Sequence, residues 1–208
     1  MEGSSSVDTS VGEPTDARED IMRATYHVLC ERGYAGLTMR AIAEEAGTSK
    51  SLIHYHFDTK EELLLAFLER FLDRLDRFLE EIESETDDHE ARLLAFVERF
   101  VVQPEDADRQ AFWRALLELR LQAAHQEAFR EQLAANNEAI REALATIIAE
   151  GVEDGTFRAV DPEQTAGLVL DALEGARTRQ ATLDSEDAPI AAREAVCEHV
   201  VEGLVQDR

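Results

Sequence analysis

Leu37-Thr38-Met39-Arg40-Ala41-Ile42-Ala43-Glu44-Glu45-Ala46-Gly47-Thr48-Ser49-Lys50-Ser51-Leu52-Ile53-His54-Tyr55-His56-Phe57 is the stretch on which the fold turns. Thr38 is placed to N-cap a short helix whose Met39, Ile42 and Ala43 face inward, and Gly47 stops it. A second, shorter helix follows Thr48–Ser49 and runs to about His56. Ile42, Ala43, Ala46, Ile53 and Phe57 can pack the pair together, which leaves Lys50, Ser51, His54 and Tyr55 pointing outward. Two helices joined by a tight glycine turn, the second exposed and cationic, describe a helix-turn-helix. The first turn of the second helix presents free backbone N–H groups beside the Thr48 and Ser49 hydroxyls, which suits a phosphate oxygen or a base edge.

Charge sets the same stretch apart. Of 208 residues 45 are Asp or Glu, and the formal net charge is −24. The two longest runs without a carboxylate are Arg32–Ala43 and Ala46–Phe57, parted only by Glu44–Glu45. The two lysines of the chain, Lys50 and Lys60, lie in and just after the second run. Residues 14–60 carry a net −1 and residues 61–208 a net −20. A strongly acidic chain that keeps one segment free of anions and gives it cations is expected to face a polyanion, best a nucleic-acid backbone. The remaining acid is spread over every helix with almost no Lys, a pattern that suits a protein working in concentrated salt, where screening removes self-repulsion.

Working outward, the periodicity predicts an all-α chain of about nine helices. Ile21, Ala24, Thr25, Val28 and Leu29 make a first helix that ends at Gly33. Thr59 with Glu62 forms a capping box that opens a long fourth helix. Gln103–Asp108 reads as a loop, and two helices follow at about Arg109–Ala124 and Gln126–Glu150, the latter ended by Gly151. Pro162 opens an eighth helix. Val196, Cys197, Val200, Val201 and Leu204 mark the ninth. The expected organisation is a disordered tail over residues 1–13, a three-helix helix-turn-helix head over 14–60 and a larger helical body over 61–208. Cys30 and Cys197 stand apart and outside any CxxC pattern, so they read as small buried hydrophobes. No apolar run reaches the ~18–20 residues that span a bilayer, and Met1–Glu13 lacks the basic and apolar parts of a signal peptide. A cytoplasmic protein is expected.

The run Gly33-Tyr34 … Leu37 to Lys50 … Tyr55-His56-Phe57-Asp58-Thr59-Lys60-Glu61-Glu62-Leu63 closely resembles the N-terminal domain of TetR-family transcriptional repressors, over about residues 15–65. Gly151–Asp161 followed by Pro162, and later Leu173-Glu174-Gly175, resemble the C-terminal domain of the BetI-type subgroup. The resemblance implies a sequence-specific repressor, released from a palindromic operator by a small molecule bound in the body. It implies that Thr38 and Arg40 touch phosphates and an adjacent base edge. Ser49, Lys50 and Ser51, with Thr48 beside them, would meet backbone and bases in the major groove. Tyr55 and Lys60 would hold phosphates. His54 stands where the family often has Tyr, and a phosphate contact there would be partly pH-dependent. It further implies a homodimer through the last two helices, about Pro162–Thr182 and Pro189–Val205.

Each role has a plainer alternative. Arg40 can pair with Glu44 at i, i+4, Tyr55 can belong to the core, and Lys50 and Lys60 can be ordinary solvated lysines. His54 and His56 stand two apart, so a helix points their rings away from each other and no metal site is expected. For an effector the body offers Phe67, Phe71, Phe96, Phe100, Phe112, Trp113 and Phe129, with Gln122, His125 and Asn136 as polar readers. Aromatic residues at helical spacing also build ordinary core. No cofactor is expected. The chain shows no Glu-x-x-His pair, nucleophile elbow or phosphate-cradling Gly loop, so an enzyme is not the reading. A protein-interaction adaptor with a cationic head is the remaining rival.

Overall fold

The computed structural model describes residues 14–101 and 107–205, with side chains there except at residues 14–16, 71, 74, 101 and 107–109. Among the described residues all regular structure is helical, as the periodicity predicts; an isolated antiparallel bridge joins Phe157 to Val205. The helices are α1 (Pro14–Gly36), α2 (Met39–Glu45), α3 (Lys50–His56), α4 (Lys60–Glu85), α5 (His89–Val101), α6 (Ala107–Gln122), α7 (Glu127–Glu153), α8 (Pro162–Leu183) and α9 (Ala188–Val196). α9 runs on through a π turn, Cys197–Val201, into a last turn, Glu202–Leu204. The expected tail over 1–13 and most of the Gln103–Asp108 loop lie outside the described residues.

Local chemistry accounts for most boundaries. Thr38, Ser49, Thr59 and Asp161 each cap a helix, accepting from the backbone N–H three residues on, so each start was written in a single side chain. At Thr59 the box is shifted, because Glu62 reaches back to the Asp58 N–H at 2.7 Å. Gly47, at φ +64, closes α2 with Thr48 N–H donating to Ala43 O and Gly47 N–H to Glu44 O. That left-handed close suits glycine. Two glycines behave differently from expectation. α1 breaks at Gly33 (φ +63) but resumes for one more turn to Gly36. α7 passes straight through Gly151, which is buried: a Cβ there would lie 2.2 Å from Cδ2 of the fully buried Phe157. Gly151 is a place of close approach and not a stop.

Two apolar cores stack along the molecule. One joins α1–α3 through Ile21, Val28, Leu29, Ile42, Ile53 and Phe57, and draws in Phe67 from α4, Leu119 from α6 and Phe129 from α7. The other, through Leu93, Phe96, Leu144, Ile148, Leu170 and Leu173, builds the body. The expected division after residue 60 is therefore a change of element with packing continuous across it, and α1 packs more extensively on α6 than on α2. A seven-residue helix such as α3 is too short to persist alone. The burial of Ile53 and Phe57, each contributing about 1.5–3 kcal/mol, fixes it to the head.

Candidate nucleic-acid interface

α3 anchors itself with Ile53, its one fully buried residue, and leaves Lys50, Ser51, Leu52, His54 and Tyr55 exposed. Tyr55 is 81% exposed, so it is not core; the His56 ring meets it edge-on at 5.2 Å. Leu52 is also exposed, an apolar group among polar ones that the sequence reading did not single out. Among the described residues this face stays open, and α3's main packing is on α2. Ser49 Oγ accepts from the Leu52 N–H at 3.2 Å and Thr38 Oγ1 from the Ala41 N–H at 3.0 Å. Both hydroxyls thus fix helix starts, and each keeps a lone pair and a proton for another partner. Thr48 is half-buried in the turn between α2 and α3.

Arg40 is the exposed guanidinium of α2, and its Nε donates to Glu44 at 2.8 Å. This bond holds the Glu44 carboxyl below its usual range and the Arg40 guanidinium above its own. Both side chains are exposed, so a phosphate can compete for Arg40. Lys60 sits otherwise than as a free surface cation. Its Nζ donates to Tyr34 O at 2.9 Å and lies 3.9 Å from the Tyr34 ring centroid. Burial pushes its pKa down, with the charge of Glu61 opposing. Lys60 is therefore engaged inside the head, tying the start of α4 to the end of α1. Among the described residues no group of three or more His, Cys, Asp and Glu could hold a metal ion.

In the body the expected aromatics form a line crossing from one core to the other. Ring centroids run Phe67–Phe112 at 6.1 Å, Phe112–Trp113 at 6.4 Å, Trp113–Phe100 at 6.3 Å and Phe100–Phe96 at 6.1 Å. Phe129 packs in the head-side core, and the Phe71 side chain lies outside the described residues. Gln122 ends α6, and His125 sits exposed in the α6–α7 connection. Asn136 is buried, donating to Leu68 O and accepting from Gln132, both at 3.0 Å, so it ties α7 to α4. Sequence reasoning missed Arg177. It lies buried in the apolar stripe of α8, its guanidinium 4.1 Å from the Trp113 centroid and 5.0 Å from that of Phe100.

Along α8 and α9 runs a shallow, mostly apolar groove lined by Leu168, Ala172, Gly175, Ala192, Ala195 and Val200, with the charged Asp171 and Arg179 also on its wall. Small side chains and an exposed Leu168 and Ile190 give this face an apolar, closely approachable surface. No helix among the described residues is long and apolar enough to cross a membrane.

Comparison with known proteins agrees with this arrangement. The family profile for bacterial regulatory proteins, tetR family, matches residues 21–67. The profile for the C-terminal domain of BetI-type transcriptional repressors matches residues 89–206, more than half the chain. The HTH-type transcriptional repressor AcnR of Corynebacterium glutamicum is 28% identical over 171 residues, covering 82% of this chain and 85% of that protein. The repressor KstR2 of Rhodococcus jostii is 31% identical over 141 residues, 68% of each. A TetR transcription regulator of known crystal structure from Haloarcula marismortui is 39% identical, covers 92% of this chain and all of that one, and superposes with a TM-score of 0.81. An exposed recognition helix on a small head, carried by a BetI-type helical body, makes this chain a member of the tetR family of helix-turn-helix transcriptional regulators.

Proposed function

We propose that the chain is a homodimeric repressor that grips a palindromic operator with two copies of α3 and lets go when a small molecule enters the body. The observation that carries this is the exposure of Lys50, Ser51, His54 and Tyr55 on a helix anchored by the buried Ile53 and Phe57. One such helix reads too few base pairs for useful affinity. Two heads about 34 Å apart, or a small multiple of that, double the readout. The apolar groove along α8 and α9 supports dimer formation there, as a four-helix bundle of small and branched side chains. The DNA-facing set is Thr38, Arg40, Thr48, Ser49, Lys50, Ser51, His54 and Tyr55; Lys60 would serve it by bracing the head.

The aromatic line of Phe67, Phe112, Trp113, Phe100 and Phe96 is the proposed wall of the effector site. Arg177 already lies against the faces of Trp113 and Phe100, where a cationic ligand would have to sit. That favours an uncharged or lipophilic effector over a cationic one. We also read the dispersed acid as adaptation to a salty cytoplasm. The few basic residues of the head then cannot hold DNA by counterion release alone, so base and shape readout carry more of the affinity.

Recovery and sequencing of the genomic DNA bound to the protein tests this reading. A shared palindrome is expected. Lys50→Ala and Tyr55→Ala should each sharply reduce its enrichment while the protein stays folded and dimeric. Enrichment of no common sequence, or enrichment unaffected by both substitutions, rules the proposal out.

A further inference from the structure

Glu118 on α6 stands 84 residues from Tyr34, yet its Oε2 accepts the Tyr34 backbone N–H at 2.6 Å. The break at Gly33 makes this contact. With φ at +63 the chain leaves the helical path, and a Cβ at Gly33 would come within 3.0 Å of that carboxylate oxygen. The other backbone group of Tyr34, its carbonyl, accepts from Lys60 Nζ. A single residue at the end of α1 is therefore grasped by α6 on one side and by α4 on the other.

α6 is fastened at its opposite face as well. Arg120, two residues and so about 200° further round the helix, makes two bonds to Glu174 of α8, at 2.7 and 3.2 Å. Between α6 and α8 lies a narrow cleft with Trp113 and Leu116 on one wall and Arg177 and Thr178 on the other. The apolar contacts of α1 with α6 keep the head attached, but burial is non-directional. A hydrogen bond prefers one direction, and one to a carboxylate is roughly twice as strong as a neutral one.

We propose that Glu118 is a positioning residue for DNA binding: its grip on the Tyr34 N–H sets the angle of the head against α8, and with it the separation of the two heads. This rests on the operator and α8–α9 dimer reading given above. Packing attaches the head, and Glu118 aims it.

The test uses the full-length protein with Glu118→Ala and Glu118→Gln, the latter keeping an oxygen that can accept. Affinity is measured on the recovered operator and on versions with one base pair added or removed between half-sites. Exchange of the Tyr34 amide is followed by NMR without DNA. Glu118→Ala should bind the native operator about tenfold more weakly, discriminate less between spacings, and exchange the Tyr34 amide faster. Glu118→Gln, with a neutral acceptor in place of the carboxylate, should recover a large part of each. Wild-type affinity and spacing preference in Glu118→Ala overturn the proposal, as does a Glu118→Gln protein that behaves like Glu118→Ala. A wild-type chain that binds no paired half-sites removes the functional reading itself. The amide exchange tells that result apart, because it reports the Glu118–Tyr34 bond with no DNA present.

Discussion

Gly151→Ala is a small change that should do disproportionate harm. An added methyl would lie 2.2 Å from Cδ2 and 2.4 Å from Cε2 of Phe157, well inside the ~3.5–4.0 Å of ordinary carbon contact. Phe157 is fully buried, and its N–H donates to Gly151 O at 2.7 Å. Forcing the ring aside forfeits about 1.5–3 kcal/mol of burial, and weakening the hydrogen bond adds about 1 kcal/mol. Alanine returns about 1 kcal/mol of helix propensity. The net expectation is about 2 kcal/mol of destabilisation, read as a lower urea midpoint by far-UV circular dichroism and by Trp113 fluorescence. Phe157→Ala supplies the control. In that background the obstruction is gone, and Gly151→Ala should become neutral or stabilising by up to about 1 kcal/mol. An equal cost of Gly151→Ala with and without the Phe157 ring would refute the reasoning. Because Arg158, next to Phe157, donates to Leu204 O at 2.8 Å, the strained variant should also loosen the α8–α9 dimer proposed above, read in sedimentation.

Lys50→Ala should lower the slope of log affinity against log salt by about 0.9 for the phosphate that each head then leaves unneutralised, while Tyr55→Phe should weaken operator binding and leave the slope alone; filter binding over a salt series separates the two. The wild-type slope itself should be shallow for a regulator, and a steep one would contradict the salt reading. Hydrogen bonds from the Thr156 backbone and side chain, and then the charge of His89, hold the Asp154 carboxyl below its ordinary 3.8 against the opposing effect of burial. Its contribution to stability is therefore full above that value and lost as pH falls through the depressed one. Asp154→Asn should be less stable than wild type at neutral pH, and the gap in urea midpoints should close in strong acid; a gap independent of pH would count against it. Burial raises the pKa of the Cys197 thiol, so iodoacetamide should modify it at pH 8 more slowly in the folded protein than in urea.

What could be read in the sequence was what is decided locally. Thr38, Ser49 and Thr59 act on the N–H three residues ahead, and Pro162 fits only a first turn, so the starts of α2, α3, α4 and α8 were visible in the letters, although the Asp161 cap of α8 was not singled out. The outward set of α3 was equally legible, because a helix of about two turns with two apolar anchors has one exposed side. Gly151 was misread as a stop because its reason is a ring six residues away that folds back on it. Glu118 and Arg177 could not be found at all. The partner of the first lies 84 positions distant, and the second hides a charge inside an apolar stripe, where the rings that face it come from α5 and α6. Lys60 was noticed for its rarity, but only the packing shows that it faces Tyr34.

The π turn at Cys197–Val201 acts as a one-residue shim near the carboxyl end. In an ordinary α-helix each residue advances about 100° around the axis, so the extra one turns everything after it by that amount. It is this rotated last turn whose Gly203 and Leu204 carbonyls meet Arg158. Deleting a single residue from the turn would leave composition and hydropathy almost untouched, yet it would swing those carbonyls away and unlatch the end of the chain. Substitutions at the exposed Glu198, His199 and Glu202 should be borne where a deletion is not, whereas Val201 and Leu204 are core and hold their identity as well as their place.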